Sequence, residues 1–275
     1  MPQADSQHPQ LQYTAIVLAG QRPGDSPLCA EAGVNLKAVI PIGGRPMLLR
    51  VVDALCGSGR IDRILISGPH EALLEASPEM APALAEAGVE WLPVGDSPSE
   101  SALYAFQQVE AGRRCLVTTA DHALLTPEII AEFCDQVDRA QNDFLVALLA
   151  GAILDAQYPG LKRTLLRLQD GAYRSCNLFA LRTPQAADVL AFWRRLDSQR
   201  KTPWRWAVAL GPMLLLRYLS GHLTLKEALE RLSRRVGAEV GMVPLTTPEA
   251  GLDVDTPADR ALVETIVSGQ MKAPD

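Results

Sequence analysis

An α/β fold with a mostly parallel central sheet is predicted by two features of this sequence. Apolar, β-branched runs recur along the chain with helix-like segments between them, and several of those segments open on proline or serine. The first run, Thr14-Ala15-Ile16-Val17-Leu18, breaks at Ala19-Gly20, as a buried strand does on entering a loop. Further strands are expected at Ile64-Leu65-Ile66, Val89-Glu90-Trp91-Leu92, Cys115-Leu116-Val117-Thr118 and Phe144-Leu145-Val146-Ala147-Leu148. Helices are expected to begin at Pro46, Pro78, Ser99 and Pro127. Proline at the first helical position gives up only an N–H that has no partner there. After Ala150 comes a short, basic, turn-rich segment, Tyr158-Pro159-Gly160-Leu161-Lys162-Arg163-Thr164, then two strands about Asp170-Gly171, which together read as a hairpin insert over 151–182. Residues 184–235 turn helical, through Trp193, 204–219 and 225–235, before Glu239-Val240-Gly241-Met242-Val243 resumes a strand. The expected organisation is a disordered leader over 1–12 and one domain over 13–268.

Composition narrows the function classes. The chain has 275 residues, 48% hydrophobic and 21% charged, which suits a soluble folded protein and excludes a disordered, collagenous or coiled-coil one. Its net charge of −6 disfavours a general binder of phosphate backbones, so nucleic acid is not an expected partner. Five scattered cysteines with no C-x-x-C spacing suggest neither a disulfide framework nor zinc, and fit a reducing cytoplasm. The first ten residues lack the apolar core of a secretion signal. The longest apolar stretch, 206–216, is interrupted by Gly211-Pro212 and closed by Arg205 and Arg217. It is far short of the ~20 residues a membrane span requires and is expected to be a buried helix.

No Gly-Lys dipeptide occurs, so a phosphate-cradling G-x-x-x-x-G-K-[ST] loop is absent, and no dinucleotide fingerprint succeeds a strand. The first strand leads instead into Leu18-Ala19-Gly20-Gln21-Arg22-Pro23-Gly24-Asp25. Its backbone N–H groups could face an anion with Arg22 beside them, or the turn could be only a tight connection. Downstream stands Asn35-Leu36-Lys37-Ala38-Val39-Ile40-Pro41-Ile42-Gly43-Gly44-Arg45-Pro46-Met47-Leu48. In this combination the sequence resembles the nucleoside-triphosphate transferases of the GT-A fold, the MobA-like family that includes the molybdenum-cofactor nucleotidyltransferases. In that family a first strand runs into a Gly-rich loop, then a lysine, a short apolar segment, a Gly-x-Pro and a helix. The resemblance implies a three-layer α/β/α fold. Lys37 matches the phosphate-contacting lysine, and Gly44-Arg45-Pro46-Met47-Leu48 matches the Gly-x-Pro signature.

Two further segments match. In Thr118-Thr119-Ala120-Asp121-His122-Ala123, Asp121 falls on the family's metal-binding aspartate, and Leu252-Asp253-Val254-Asp255-Thr256-Pro257-Ala258-Asp259 resembles its Asp-Ile-Asp-Thr-Pro-Glu-Asp. Carboxylates from two strand ends suit Mg²⁺ or Mn²⁺, which takes oxygen ligands and shares them with substrate phosphates. The resemblance thus implies a metal on Asp121 and Asp255, with Asp253 as a further ligand or as support. It implies nucleotide contacts from Leu18, Ala19, Gly20, Gln21, Arg22, Lys37, Ser99, Ser101 and Asp121. Two departures stand out: Gly20 is succeeded at once by Gln21-Arg22 with a long stretch before Lys37, and no proline stands two positions beyond Asp121.

Each residue also has a plainer reading. Asp121 or Asp255 could cap the next helix, His122 could be a structural neighbour, and Ser97-Pro98-Ser99-Glu100-Ser101 could be a capping box. Lys162, Arg163 and Arg167 form a basic patch that is either a solvated face or the grip on a phosphorylated acceptor, for which Lys162 and Arg163 are the candidates. The 184–235 helices would then cover the acceptor side. The expected reaction is transfer of a nucleoside monophosphate from an NTP to a phosphorylated or hydroxyl-bearing small molecule, with release of pyrophosphate. The alternatives are a GT-A glycosyltransferase using an NDP-sugar, for which Asp253-Val254-Asp255 has the spelling but not the mid-domain position, and a catalytically silent nucleotide-binding module.

Overall fold

The sheet is built around the first strand, β1 (Tyr13–Leu18), whose residues alternate between two cores: Tyr13, Ala15 and Val17 face one, Ile16 the other. A computed structural model of the chain describes residues 12–21, 26–197 and 211–270. The expected leader up to residue 11, Arg22 with the rest of the 22–25 turn, and the 198–210 part of the helical region lie outside the described residues.

From β1 the chain passes through α1 (Pro27–Ala32), a 3₁₀ turn at Lys37–Val39 and a small antiparallel pair, β2 (Pro41–Ile42) and β3 (Arg45–Pro46). Next come α2 (Met47–Gly57), β4 (Ile61–Ser67), α3 (His70–Ala76), α4 (Met80–Glu86), β5 (Glu90–Leu92), α5 (Pro98–Gln107), β6 (Arg114–Thr119), α6 (Pro127–Arg139) and β7 (Phe144–Ala150). The remainder is α7 (Gly151–Gln157), β8 (Leu166–Leu168), β9 (Gly171–Leu181), α8 (Ala186–Asp197), α9 (Pro212–Leu219), α10 (Leu225–Val236), β10 (Val240–Leu245) and α11 (Pro257–Val267).

The strands run in the order β10-β7-β9-β6-β1-β4-β5, with β8 paired to β9. β6, β1, β4 and β5 are mutually parallel, as are β7 and β10, while β9 is antiparallel to both β6 and β7. Apolar faces of α2 and α6 close one side of the sheet, and those of α5, α8 and α10 close the other. The result is the expected three-layer α/β/α arrangement.

Four expectations change. The 151–182 segment holds the expected hairpin, β8 pairing antiparallel with β9 about Asp170-Gly171, but it is not an insert: it starts with α7, and β9 runs on into the middle of the sheet, where Leu178, Ala180 and Leu181 are fully buried. Apolar residues on consecutive positions are what a strand covered on both faces needs. The 206–216 stretch is not a buried helix where it is described, since Met213 and Leu216 of α9 are 56% and 62% exposed and, among the described residues there, Leu214 alone turns inward. Pro46 pairs with Pro41 in the small sheet and precedes α2, which begins at Met47. The short helices α1, α3 and α7 add to the expected elements, because six or seven residues hold too few turns for an amphipathic period to be legible.

Candidate active site

The C-terminal ends of β1 and β6 lie side by side and open the cleft, the usual place for ligands in open α/β sheets. Leu18 accepts from Ala120 N at 3.0 Å, and Ala19 N donates to Ser67 O at 2.8 Å, so the turn leaving β1 is pinned on both sides. Glycine stands next, at Gly20, because a Cβ there would lie 2.9 Å from Val94 Cγ1, and the 94–97 loop needs that close approach. Gln21 then bridges the long loop. Its Nε2 donates to Asn35 O at 2.7 Å, and its Oε1 accepts from Lys37 N at 2.6 Å. The unusual Gln after the glycine thus fixes the backbone of the lysine it precedes by sixteen positions.

Lys37 Nζ donates to Asp121 Oδ2 at 2.5 Å and also to Asp255 Oδ1. Asp121 stands two residues beyond β6, and Thr119, the last residue of that strand, donates its hydroxyl to the other carboxylate oxygen. Asp255 is brought in by the chain's far end: Val254 N donates to Asp121 O at 3.2 Å. The plainer capping reading does not describe these aspartates. Thr126 caps α6, and Thr256 caps α11 in a capping box with Asp259. Asp255 is left with an exposed side chain, while the buried Asp259 Oδ2 accepts from Asp255 N at 3.1 Å and Thr256 N at 2.8 Å.

Burial pulls the Lys37 ammonium towards neutrality, but Asp121 and Asp255 outweigh it and hold its pKa above the ordinary lysine value. Asp253 is different. Its Oδ1 accepts from Arg174 Nη2 at 2.5 Å and its Oδ2 from Asn177 Nδ2 at 3.2 Å. Burial raises its pKa; Arg174 opposes this, and the like charges of Asp255 and Asp121 add to it. Arg174 and Asn177 are not legible in the sequence. They come from β9, whose central place in the sheet no local pattern announces, and Asn177 adopts a φ of 49° that only the folded backbone reveals. His122 is buried, and burial lowers its pKa to about 4 against the opposing pull of Asp121 and the Ala250 backbone.

The serine segment divides its roles. Ser97 caps α5 by accepting from Glu100 N at 3.1 Å, Ser101 accepts from Gly95 N at 2.9 Å, and Ser99 donates to Asp197 at 2.7 Å. A cleft of about 300 Å³ lies between this segment and the β1 turn, lined by Leu18, Gly20, Gln21 and Ser101 among others. Next to it a small hollow of about 30 Å³ is lined by Ala19, Gly20, Gln21, Lys37 and Asp121. In the basic patch, Lys162 and Arg167 are exposed, but Arg163 turns inward. Its Nη1 donates to Asp259, and its buried Nε and Nη2 have no partner.

Two carboxylates converging on one cation are an oxygen-only donor set suited to a hard dication. Among the described residues, no group of three or more His, Cys, Asp or Glu side chains could hold a metal unaided. A dication here would share its ligands with substrate phosphates.

The family model for the MobA-like NTP transferase domain matches residues 15–239. A solved structure described as a hypothetical transferase from Thermus thermophilus is similar at 30% identity with a TM-score of 0.75, covering 91% of this chain and all of that one. A CMP:2-keto-3-deoxy-manno-octonic acid synthetase complexed with CTP is similar at a TM-score of 0.56, covering 94% of this chain and 100% of that one; at 15% identity it bears on the fold alone. The 2-C-methyl-D-erythritol 4-phosphate cytidylyltransferase of Rhodococcus jostii (strain RHA1) is 29% identical over 124 residues, 43% of this chain. The match spans about half, 53%, of that relative's length. Among the described residues no helix is long and apolar enough to cross a membrane.

Proposed function

The chain belongs to the MobA-like NTP transferase family, a family of nucleotidyltransferases, and from that premise we propose that it transfers a nucleoside monophosphate from an NTP to a small-molecule acceptor. One observation carries the reading: Lys37 is held between Asp121 and Asp255 at the joined ends of β1 and β6. An acceptor phosphate or hydroxyl oxygen attacks the α-phosphorus, the bond from that phosphorus to the bridging oxygen breaks, and pyrophosphate leaves with the electron pair. Lys37 and the N–H groups of Gly20 and Gln21 would hold the triphosphate and oppose the charge growing on pyrophosphate. Arg22, outside the described residues, remains a candidate for the same work.

Asp121 and Asp255 would hold the Mg²⁺ or Mn²⁺. When bound, the ion would neutralise phosphate charge and polarise the α-phosphoryl group. With both oxygens engaged, Asp253 serves in this reading as support, anchoring Arg174 and Asn177 behind Asp255. Leu18, Ala19, Gln21 and the 97–101 segment would surround the nucleoside, Ser101 by shaping the loop and Ser99 from the neighbouring wall. Lys162 is the exposed cation we assign to an acceptor phosphate, while Arg163 is engaged by Asp259. All five cysteines are free, in keeping with the cytoplasm as the setting.

The test is pyrophosphate release with each of the four NTPs and a metabolite extract. CTP is the first choice, because the curated relative is a cytidylyltransferase. Acceptor-dependent pyrophosphate is expected. An NDP-sugar consumed without pyrophosphate would make the protein a glycosyltransferase, and binding without turnover a silent module.

A further inference from the structure

We propose, resting on the nucleotidyltransferase reading, that Arg163 is a positioning residue: through the carboxylate of Asp259 it holds the backbone from which Asp255 is presented to Lys37 and the metal. Asp255 needs such a hold. Its side chain is 59% exposed, and it stands on the loop before α11, so burial does not aim it. Lys37 meets its carboxylate, and Asp259 takes its backbone, Oδ2 accepting from Asp255 N at 3.1 Å and from Thr256 N at 2.8 Å.

The two oxygens of Asp259 divide the work. Oδ1 accepts from Arg163 Nη1 while Oδ2 serves the two backbone N–H groups, so the carboxylate is gripped on both sides and its plane is fixed. The pair is buried, where a charge-assisted bond is strong and its loss is not made good by solvent. Without Arg163, Asp259 would keep its bonds to Asp255 and Thr256 and its place in the capping box of α11. What would go is the fixed direction of the carboxylate, and with it the fixed place of the Asp255 backbone.

Arg163 belongs to the 158–164 loop that also carries Lys162, and this loop is tied to the 249–253 segment at two further points. The Tyr158 hydroxyl donates to Glu249, and Arg174 joins Thr164 O at 3.3 Å to Gly251 O at 3.3 Å and to Asp253 at 2.5 Å. The loop assigned to the acceptor and the segment bearing the carboxyl-terminal aspartates therefore form one hydrogen-bonded unit. Within it, Tyr158 and Arg174 end on Glu249, Gly251 and Asp253, and Arg163 is the tie that ends on Asp255 by way of Asp259. Its work is with the metal ligand, while its neighbour Lys162 faces outward.

The experiment compares Arg163→Ala, Arg163→Lys, Asp255→Ala and the double variant Arg163→Ala with Asp255→Ala, each below its melting temperature. Affinity for Mn²⁺ is read by water-proton relaxation with each of the four NTPs and no acceptor, so that no turnover is needed. Arg163→Ala is expected to weaken Mn²⁺ binding and lower kcat by about ten-fold each, the scale of losing the partner that orients a metal ligand, with the acceptor KM unchanged. Arg163→Lys keeps the countercharge without the planar fork; it should recover part of both effects, and it carries the comparison should Arg163→Ala not fold. In the Asp255→Ala background, Arg163→Ala should change Mn²⁺ affinity no further, because residues acting through one another are not additive. Arg60→Met is the stability control. It breaks the pairs with Asp135 and Asp138 at the opposite end of β1, and should lower melting while leaving Mn²⁺ affinity and kcat unchanged. The proposal is overturned if the parent binds no Mn²⁺ with any NTP, if Arg163→Ala lowers melting alone, if it raises the acceptor KM without touching kcat, or if its effect on Mn²⁺ persists in full without Asp255. Pyrophosphate release from no NTP, with Mn²⁺ affinity still showing the coupling of Arg163 to Asp255, would instead overturn the transferase reading and leave the positioning role standing.

Discussion

Val254 donates its backbone N–H to the carbonyl oxygen of Asp121 at 3.2 Å, and that bond joins the two halves of the candidate active site. It brings the carboxyl-terminal Asp255 against the end of β6, so that two carboxylates close on the single ammonium of Lys37. The centre is assembled from three distant stretches of chain.

Removing either carboxylate should harm chemistry more than folding. Asp121→Ala and Asp255→Ala are each expected to lower pyrophosphate release by about a hundred-fold or more, the scale of losing one preorganised charge-stabilising group. Melting temperature should stay near that of the parent, because Thr126, Thr256 and Asp259 do the capping. A variant that unfolds would mark its aspartate as a structural post.

Lys37→Ala is expected to cost on the order of 10²–10³ in turnover, with only partial rescue by Lys37→Arg, whose planar fork does not fill the place of a compact ammonium. The same substitution leaves Asp121 and Asp255 without their shared cation. Mg²⁺ should therefore raise the melting temperature of Lys37→Ala more than that of the parent, and equal shifts would argue against a metal on this pair.

Lys162 and Arg163, adjacent in sequence, should separate in experiment. Lys162→Ala is expected to raise the acceptor KM by roughly ten-fold, as loss of a charge-assisted bond would, with NTP affinity unchanged. Arg163→Ala breaks a pair whose side chains are 10% and 7% exposed, and leaving the buried Asp259 carboxylate with its backbone hydrogen bonds but no countercharge should cost up to about 3 kcal/mol in urea denaturation. A small loss for Arg163→Ala would return it to the solvated face.

Asp259 gives a pH signature. Burial works to raise its pKa, but the Thr256 and Arg163 hydrogen bonds overcome that and hold it below the ordinary carboxylate value. A carboxylate so shifted stabilises the fold fully above its unfolded pKa, and the contribution disappears as pH falls through the folded value. The gap in urea midpoint between the parent and Asp259→Asn should be widest near pH 7 and close in the acid range below about pH 4. A gap independent of pH would show that shape, not charge, sets the effect of Asp259.

By itself the sequence determined the α/β class, the strands β1, β4, β5, β6, β7 and β10, the β8–β9 turn at Asp170-Gly171 and the residue types of the candidate centre. Those signals are local: a β-branched run, a proline at a helix start, or a lysine at a set distance from Gly-x-Pro is legible wherever the chain goes. The tertiary structure decided the rest, because it depends on which distant backbones hydrogen-bond. Only pairing with β6 and β7 makes β9 a central strand and delivers Arg174 and Asn177 to Asp253. Only the fold turns Gln21 onto Lys37 and buries Arg163 against Asp259 while its neighbour Lys162 stays exposed. Residue type sets what a side chain can do, and burial and partner geometry, which a linear pattern does not encode, set which of those roles it takes.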